Sequence, residues 1–336
     1  MPLTIVPFEP RLLDPAAELL ADRHRRDRAR EPRLPATYED AGASRQALAH
    51  SLERPGARGV VALRDGRPVG FLLATALLLP QTHAMSQYFP VRGAGAWYAD
   101  HAVADGEDAY VTYRAMYAAL AAPLVRAGYF THLMETPARD AEAQEALVSL
   151  GFGRDLCAAL REVDRPADAG ADVEIHVASM EDLDVVMGLV HELSLHHALS
   201  PIFLPAIPEA LPAMRVFQEN LLAEPANAHF VAYRDGRALG MQTFMPHGLF
   251  NPAFNPEATV YLFQGIVSRD ARFAGVGKAL LAHSMAWARE QGYRYCGLHY
   301  ATANLEGAAF WTSQGFEPVA YRYSRRIDDR AVWANE

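Results

Sequence analysis

The stretch Val61-Ala62-Leu63-Arg64-Asp65-Gly66-Arg67-Pro68-Val69-Gly70 returns 170 residues later as Val231-Ala232-Tyr233-Arg234-Asp235-Gly236-Arg237-Ala238-Leu239-Gly240. Asp-Gly between two apolar runs is a hairpin signal, so each copy predicts two antiparallel strands. Other landmarks repeat in the same order. Thr4-Ile5-Val6 precedes Glu174-Ile175-His176 by 170 residues, and Gly151-Phe152 precedes Gly315-Phe316 by 164. A fixed internal period means a fold built twice, and 336 residues suit two domains. The polar, Pro/Gly-bearing run Asp164 to Asp172 marks the boundary. The expected division is 1–164, a linker 165–172, and 173–336. Each half reads as strand, two helices, hairpin, strand, helix, strand, helix and closing strands, an α/β (α+β) pattern. The early helices are expected at Ala16 to Arg30 and Ser44 to Glu53, and again at Met180 to His197 and Pro208 to Ala223.

The second half holds the segment with the most chemistry. An apolar run ends at Gly265-Ile266-Val267, and Arg272-Phe273-Ala274-Gly275-Val276-Gly277-Lys278 follows. From Val276 the apolar residues recur at helical spacing through Leu280 and Trp287. A strand thus feeds a glycine turn that opens a helix. The first-turn N–H groups of a helix lack intrahelical partners, and the helix dipole favours anions there. Glycine lets a diphosphate approach without a Cβ in the way. Arg272 and Lys278 flank this cradle, and Lys278 is the one lysine among 31 basic residues.

Downstream come a short strand at Tyr295 to Tyr300, then Asn304, a helix-like stretch with Phe310-Trp311, and Gly315-Phe316. With Val267, Arg272, Gly275 and Gly277, these resemble the GNAT superfamily of N-acetyltransferases over about 230–325. The resemblance implies two tandem folds of that type, each a mixed, mostly antiparallel sheet flanked by helices. The layout is similar to that of mycothiol synthase, a tandem relative whose activity is not carried over here. It further implies acetyl-CoA or another acyl-CoA as co-substrate, held by Gly265, Ile266, Val267, the segment 272–278, Asn304, Phe310 and Trp311. Asn304 also suits a helix N-cap. In the first half, Asp108, Val111, Tyr113, Asp140 and Leu147 stand at the positions of Arg272, Gly275, Gly277, Asn304 and Trp311. A carboxylate and two bulky side chains replace the cradle, so the first half is expected to be a degenerate copy.

Acyl transfer to an amine needs a polarised thioester, a proton acceptor and a proton for the leaving thiolate. The resemblance implies two neighbouring strands that splay, with a main-chain N–H of Ile266 or Val267 as oxyanion donor. It also implies a Tyr acid where this chain has Trp311, whose indole N–H donates a hydrogen bond but gives up no proton. The strand ahead of the cradle carries no carboxylate. The candidate bases are therefore His299, Glu257 and His247, with a base acting through water, or none, as the alternative. The apolar loop Ser200 to Pro208 is expected either to shape the acceptor site or to pack on the other half. His191, Glu192, His196 and His197 do not fit metal spacing, since a Zn helix needs histidines four apart, and no metal is expected.

Composition narrows the class. The chain is 51% hydrophobic and 21% charged, enough for sizeable cores. A net charge of −9 argues against a nucleic-acid partner. No apolar run is long enough for a membrane span. Cys157 and Cys296 have no framework spacing and read as free thiols in a reducing compartment. No signal peptide is expected, so the location expected is the cytoplasm, and the Arg-for-Lys bias points to a GC-rich bacterium. The expected function is N-acetyl transfer from acetyl-CoA to a primary amine of a small molecule, by a monomer or homodimer. The competing readings are a CoA-binding protein without catalysis and the transfer of a larger acyl group.

Overall fold

The computed structural model describes residues 2–167, 170–246 and 251–332. In the first half the order is β1 (Thr4–Pro7), α1 (Leu13–Arg30), α2 (Ala41–Glu53), β2 (Arg58–Arg64), β3 (Arg67–Leu78), β4 (Arg92–Ala96), β5 (His101–Val103), α3 (Ala109–Arg126), β6 (Thr131–Pro137), α4 (Ala141–Ser149) and β7 (Gly153–Glu162). The second half repeats it with β8 (Glu174–Val177), α5 (Leu183–Ala198), α6 (Leu211–Ala223), β9 (Ala228–Arg234), β10 (Arg237–Met245), β11 (Thr259–Val267), α7 (Val276–Glu290), β12 (Tyr295–Ala301), α8 (Leu305–Ser313) and β13 (Glu317–Arg326). Two early helices begin about a turn sooner than periodicity predicts. Pro15 is tolerated in the first turn of α1, where its missing N–H costs nothing. Asp40 caps α2 by accepting from the Ala43 N–H. Both Asp-Gly pairs form the expected hairpins, with positive φ at Asp65, Gly66, Asp235 and Gly236, as a type I′ turn requires.

The strands form one sheet in the order β1-β2-β3-β4-β6-β13-β7-β12-β11-β10-β9-β8, with β5 on β3. The two halves exchange their closing strands. β13, from the second half, lies between β6 and β7 of the first. β7 in turn pairs with β12 of the second half. Leu160 pairs with Glu317 and Gly153 with Ser324. Because β7 and β13 correspond at the 164-residue offset, this pairing maps onto itself when the halves are swapped. A local two-fold axis therefore passes between these strands, as in an isologous dimer contained in one chain.

Alternation along the strands sends side chains to two faces. On one face α1 and α2 bury Leu20 and Leu48 against Phe71, Leu73, Ala158 and Ala320. On that same face α5 and α6 bury Val186, Val190 and Met214 against Val231, Met241 and Ile266. On the other face lie α3 and α4, and then α7, whose Leu280, Leu281 and Met285 pack on Leu262, Leu298 and Cys157. Among the described residues no helix is long and apolar enough to cross a membrane.

Candidate active site

Parallel pairing of β11 with β12 runs from Thr259–Tyr295 to Leu262–Leu298 and stops there. Beyond this point β11 pairs only with β10, and β12 continues on β7 through Ala301. The two strands part, and Phe263 is bulged out of register at the same level. The Ser268 N–H donates to the Leu239 carbonyl, so it faces β10. The Ile266 carbonyl also lies on that side, 2.5 Å from where a Cβ on Gly240 would be. Antiparallel residues alternate in direction, so Gly265 and Val267 turn their N–H groups away from β10, into the gap. The Val267 carbonyl does so as well, since it accepts from Arg272 Nε at 3.2 Å. Of the two donors expected, Val267 therefore has the right direction, and Ile266 is committed to the ladder. Gly265, expected only as a cofactor contact, joins it as a possible donor.

The cradle lies at the end of the gap. Gly275 is the N-cap of α7 with φ 84°, a left-handed conformation that favours glycine, and no side chain caps the helix. Gly277 touches Phe310, where a Cβ would come within 3.2 Å of the ring. Phe273 is 92% exposed. Lys278 follows in the first turn of α7. Arg272, in the turn ahead of α7, reaches α8 and α5: Nη1 donates to Glu306 at 2.9 Å and to His196 Nδ1 at 3.0 Å. His196 Nε2 lies 3.3 Å from Asn304 Oδ1, and the same oxygen caps α8 by accepting from the Gly307 N–H. The first half differs at the corresponding helix. Asp108 caps α3 by accepting from the Val111 N–H, which places a carboxylate where α7 has no side-chain cap and the backbone of Gly170 and Ala171 lies against its first turn. The groove beside β5 is also filled. The guanidinium of Arg23 donates to the carbonyls of His101 and Tyr98, and Arg26 donates to the carbonyl of Val103.

Trp311 lies with its ring against Gly265, where an added Cβ would fall 2.8 Å from Cζ2. Phe310 and Phe316 hold it edge-on. The sequence does not single out Tyr300. It lines the same cavity, two residues past the last β11–β12 pair. Burial, followed by a hydrogen bond to Cys157, raises its pKa. Strand register alone could have found it, and register cannot be read from one sequence.

The gap opens into a cavity of about 1280 Å³ lined by both halves. His299 lines it, with Nδ1 2.9 Å from the Tyr261 hydroxyl. Burial, and then the Arg322 charge, push its pKa down to about 3, so the ring is neutral. Glu257 is exposed ahead of β11, outside the residues that line the cavity. His247 lies outside the described residues. Ile202 and Leu204, from the proline-bearing loop, line the chamber. The first half contributes Tyr88, Trp97, Asp100 and Glu135. Burial pushes Glu135 up to about 6.

This geometry suits an acetyltransferase, and the sequence comparison is in keeping with it. Residues 193–316, within the second half, match the model of the Acetyltransferase (GNAT) family. In fold, the whole chain is similar to a GCN5-related N-acetyltransferase from Sphaerobacter thermophilus. The TM-score is 0.57 at 16% identity, covering 97% of this chain and 96% of that one. It is also similar to a tandem GNAT protein from the clavulanic acid biosynthesis pathway, with TM-score 0.52, 16% identity, and 97% and 98% of the two chains covered. No curated protein matches it in sequence.

Proposed function

We propose that this protein transfers the acetyl group of acetyl-CoA to a primary amine of a small molecule, by direct attack at the splay of β11 from β12. The observation that carries this reading is the coincidence of three features: a gap with free main-chain donors, an uncapped glycine cradle at its end, and a chamber meeting it from the opposite face. The diphosphate is bound by the first-turn N–H groups of α7, with Arg272 exchanging Glu306 for phosphate. The thioester oxygen accepts from the N–H of Val267 or Gly265. The amine attacks the carbonyl carbon, the C–S bond breaks, and the thiolate leaves with a proton. Residues 1–164 and 173–336 act as one unit with one cofactor site, the first copy serving as a wall of the acceptor chamber.

Among the described residues, His299 is the expected base that lines the chamber. With so low a pKa it cannot store a proton at neutral pH, so it accepts a hydrogen bond and the proton leaves through water. The rate should then follow the ionisation of the amine itself. The test is release of free CoA with a panel of small amines. Turnover with at least one, rising with pH up to the pKa of that amine, is expected. Tight acetyl-CoA binding with no turnover on any amine would favour a non-catalytic CoA-binding protein instead.

A further inference from the structure

The chamber has an end that acetyl transfer does not use. His299 on β12 pairs with Ala158 on β7, and Ala158 pairs with Ala320 on β13. Ala320 pairs with Pro137 on β6, and Glu135 follows two residues away on the same face. All but Pro137 line the cavity. A floor of two alanines thus runs across the sheet from the reaction point to a carboxylate of the first half. Strands lie about 4.8 Å apart and residues rise about 3.4 Å along a strand, so three spacings across and two residues along give roughly 16 Å between the backbones of His299 and Glu135. Side chains reaching inward shorten this to on the order of 10 Å.

Glu135 is 8% exposed. Its Oε2 accepts from Asn251 Nδ2 at 2.7 Å and from the Tyr98 N–H at 3.2 Å. Among the described residues Oε1 accepts from none. Asp100 stands near enough to act on its charge. Asp100 is 1% exposed; its Oδ2 accepts from the Trp97 N–H, the Ser51 hydroxyl acts on the same carboxylate, and its Oδ1 is buried without a close donor among the described residues. Of the guanidinium groups nearby, Arg322 stands opposite Glu135 on β13 and acts on its charge but is forked on Asp155, and Arg23 pairs with Asp27. Arg54, at the end of α2, is half-exposed and acts on Asp100 without an ion pair among the described residues. A buried acceptor with no donor is costly, as at Asp100 Oδ1, and Glu135 leaves a second carboxylate oxygen at the cavity wall without a protein donor among the described residues; a cation there would offset both.

We infer that Glu135 and Asp100 hold a second ammonium group of the acceptor, so that the substrate is a diamine or oligoamine with its two nitrogens on the order of 10 Å apart. The alanine floor and the Tyr88, Phe89 and Tyr261 walls take its aliphatic body. This rests on the splay being the reaction point, and it makes the first half a specificity element.

Binding tests it apart from turnover. 1,8-Diaminooctane and octylamine, equal in chain length, are titrated calorimetrically into the full-length protein saturated with CoA. The diamine should bind at least tenfold tighter. In Glu135→Gln, which keeps an oxygen for Asn251 and Tyr98 but loses the charge, that advantage should vanish, and Asp100→Asn should reduce it. Equal affinity for the two amines in the parent protein, or no binding of the diamine, overturns the inference. So does a Glu135→Gln variant that weakens both amines alike, since that marks a structural role. Failure of turnover with bound diamine would sink the proposed reaction and leave the dication site standing.

Discussion

Trp311 stands where a proton donor is expected, and its geometry explains why it is tolerated. Its ring closes the gap beside Gly265, packed between Phe310 and Phe316. An indole can wall the thioester but cannot protonate the thiolate. The phenol beside the gap, Tyr300, can donate a hydrogen bond to it, although burial and Cys157 hold its own proton more firmly than usual. The expected outcome is a split. Trp311→Phe should leave most of kcat and raise KM through lost packing. Tyr300→Phe should lower kcat by roughly a hundredfold, the low end for a lost general acid. Steady-state kinetics on the best amine read both. A drop of several hundredfold for Trp311→Phe would give the indole N–H a transition-state role that this assignment lacks.

At the level of elements, α7 and α3 are the same helix with opposite caps. α7 opens on Gly275 and is left without a side-chain partner, whereas α3 is closed by the Asp108 carboxylate. An anion cannot share an N-terminus with a carboxylate, and Arg23 already holds the carbonyls beside β5. One acetyl-CoA per chain is therefore expected by calorimetry, and two sites of similar affinity would contradict it. Gly275→Val should abolish binding, both by backbone strain at φ 84° and because a Cβ there meets the Ala171 nitrogen at 2.9 Å. This contrast was legible in the sequence, since glycine spacing and the start of a helical period are local signals. The splay was not. Whether Leu262 and Leu298 are the last paired residues depends on the separation of β11 from β12, and nothing in either strand marks where pairing ends. The direction of the Ile266 N–H was hidden for the same reason, since it depends on the ladder with β10.

Across the whole molecule the repeat announced two copies but not their exchange. Identical offsets fit two separate sheets as well as one, because each closing strand meets an edge of the same kind in either half. The exchanged β7 and β13 tie both cores to one sheet, so the chain should unfold in a single transition. Its dependence on pH follows from the buried histidines. His24 and His197 are pushed down to about 4 and His299 to about 3, chiefly by burial. His101, His132 and His229 are lowered for the same reason. In the unfolded chain these rings take up protons below about 6.5, while in the folded chain they stay neutral to lower pH. The unfolded state thus binds more protons in that window, and stability falls as pH drops from about 6.5 toward 4. Glu135, raised to about 6, and Asp27 and Asp100, also raised, act in the opposite sense, favouring the folded state as pH falls toward their ordinary range. The histidines are more numerous, and those with values fall further from their ordinary pKa than Glu135 rises, so their sign should win. Thermal melts should show a Tm at pH 5 below that at pH 7 by on the order of 10 °C. A Tm that is flat or rises over the same interval would mean that these rings are hydrated and titrate normally in the folded protein.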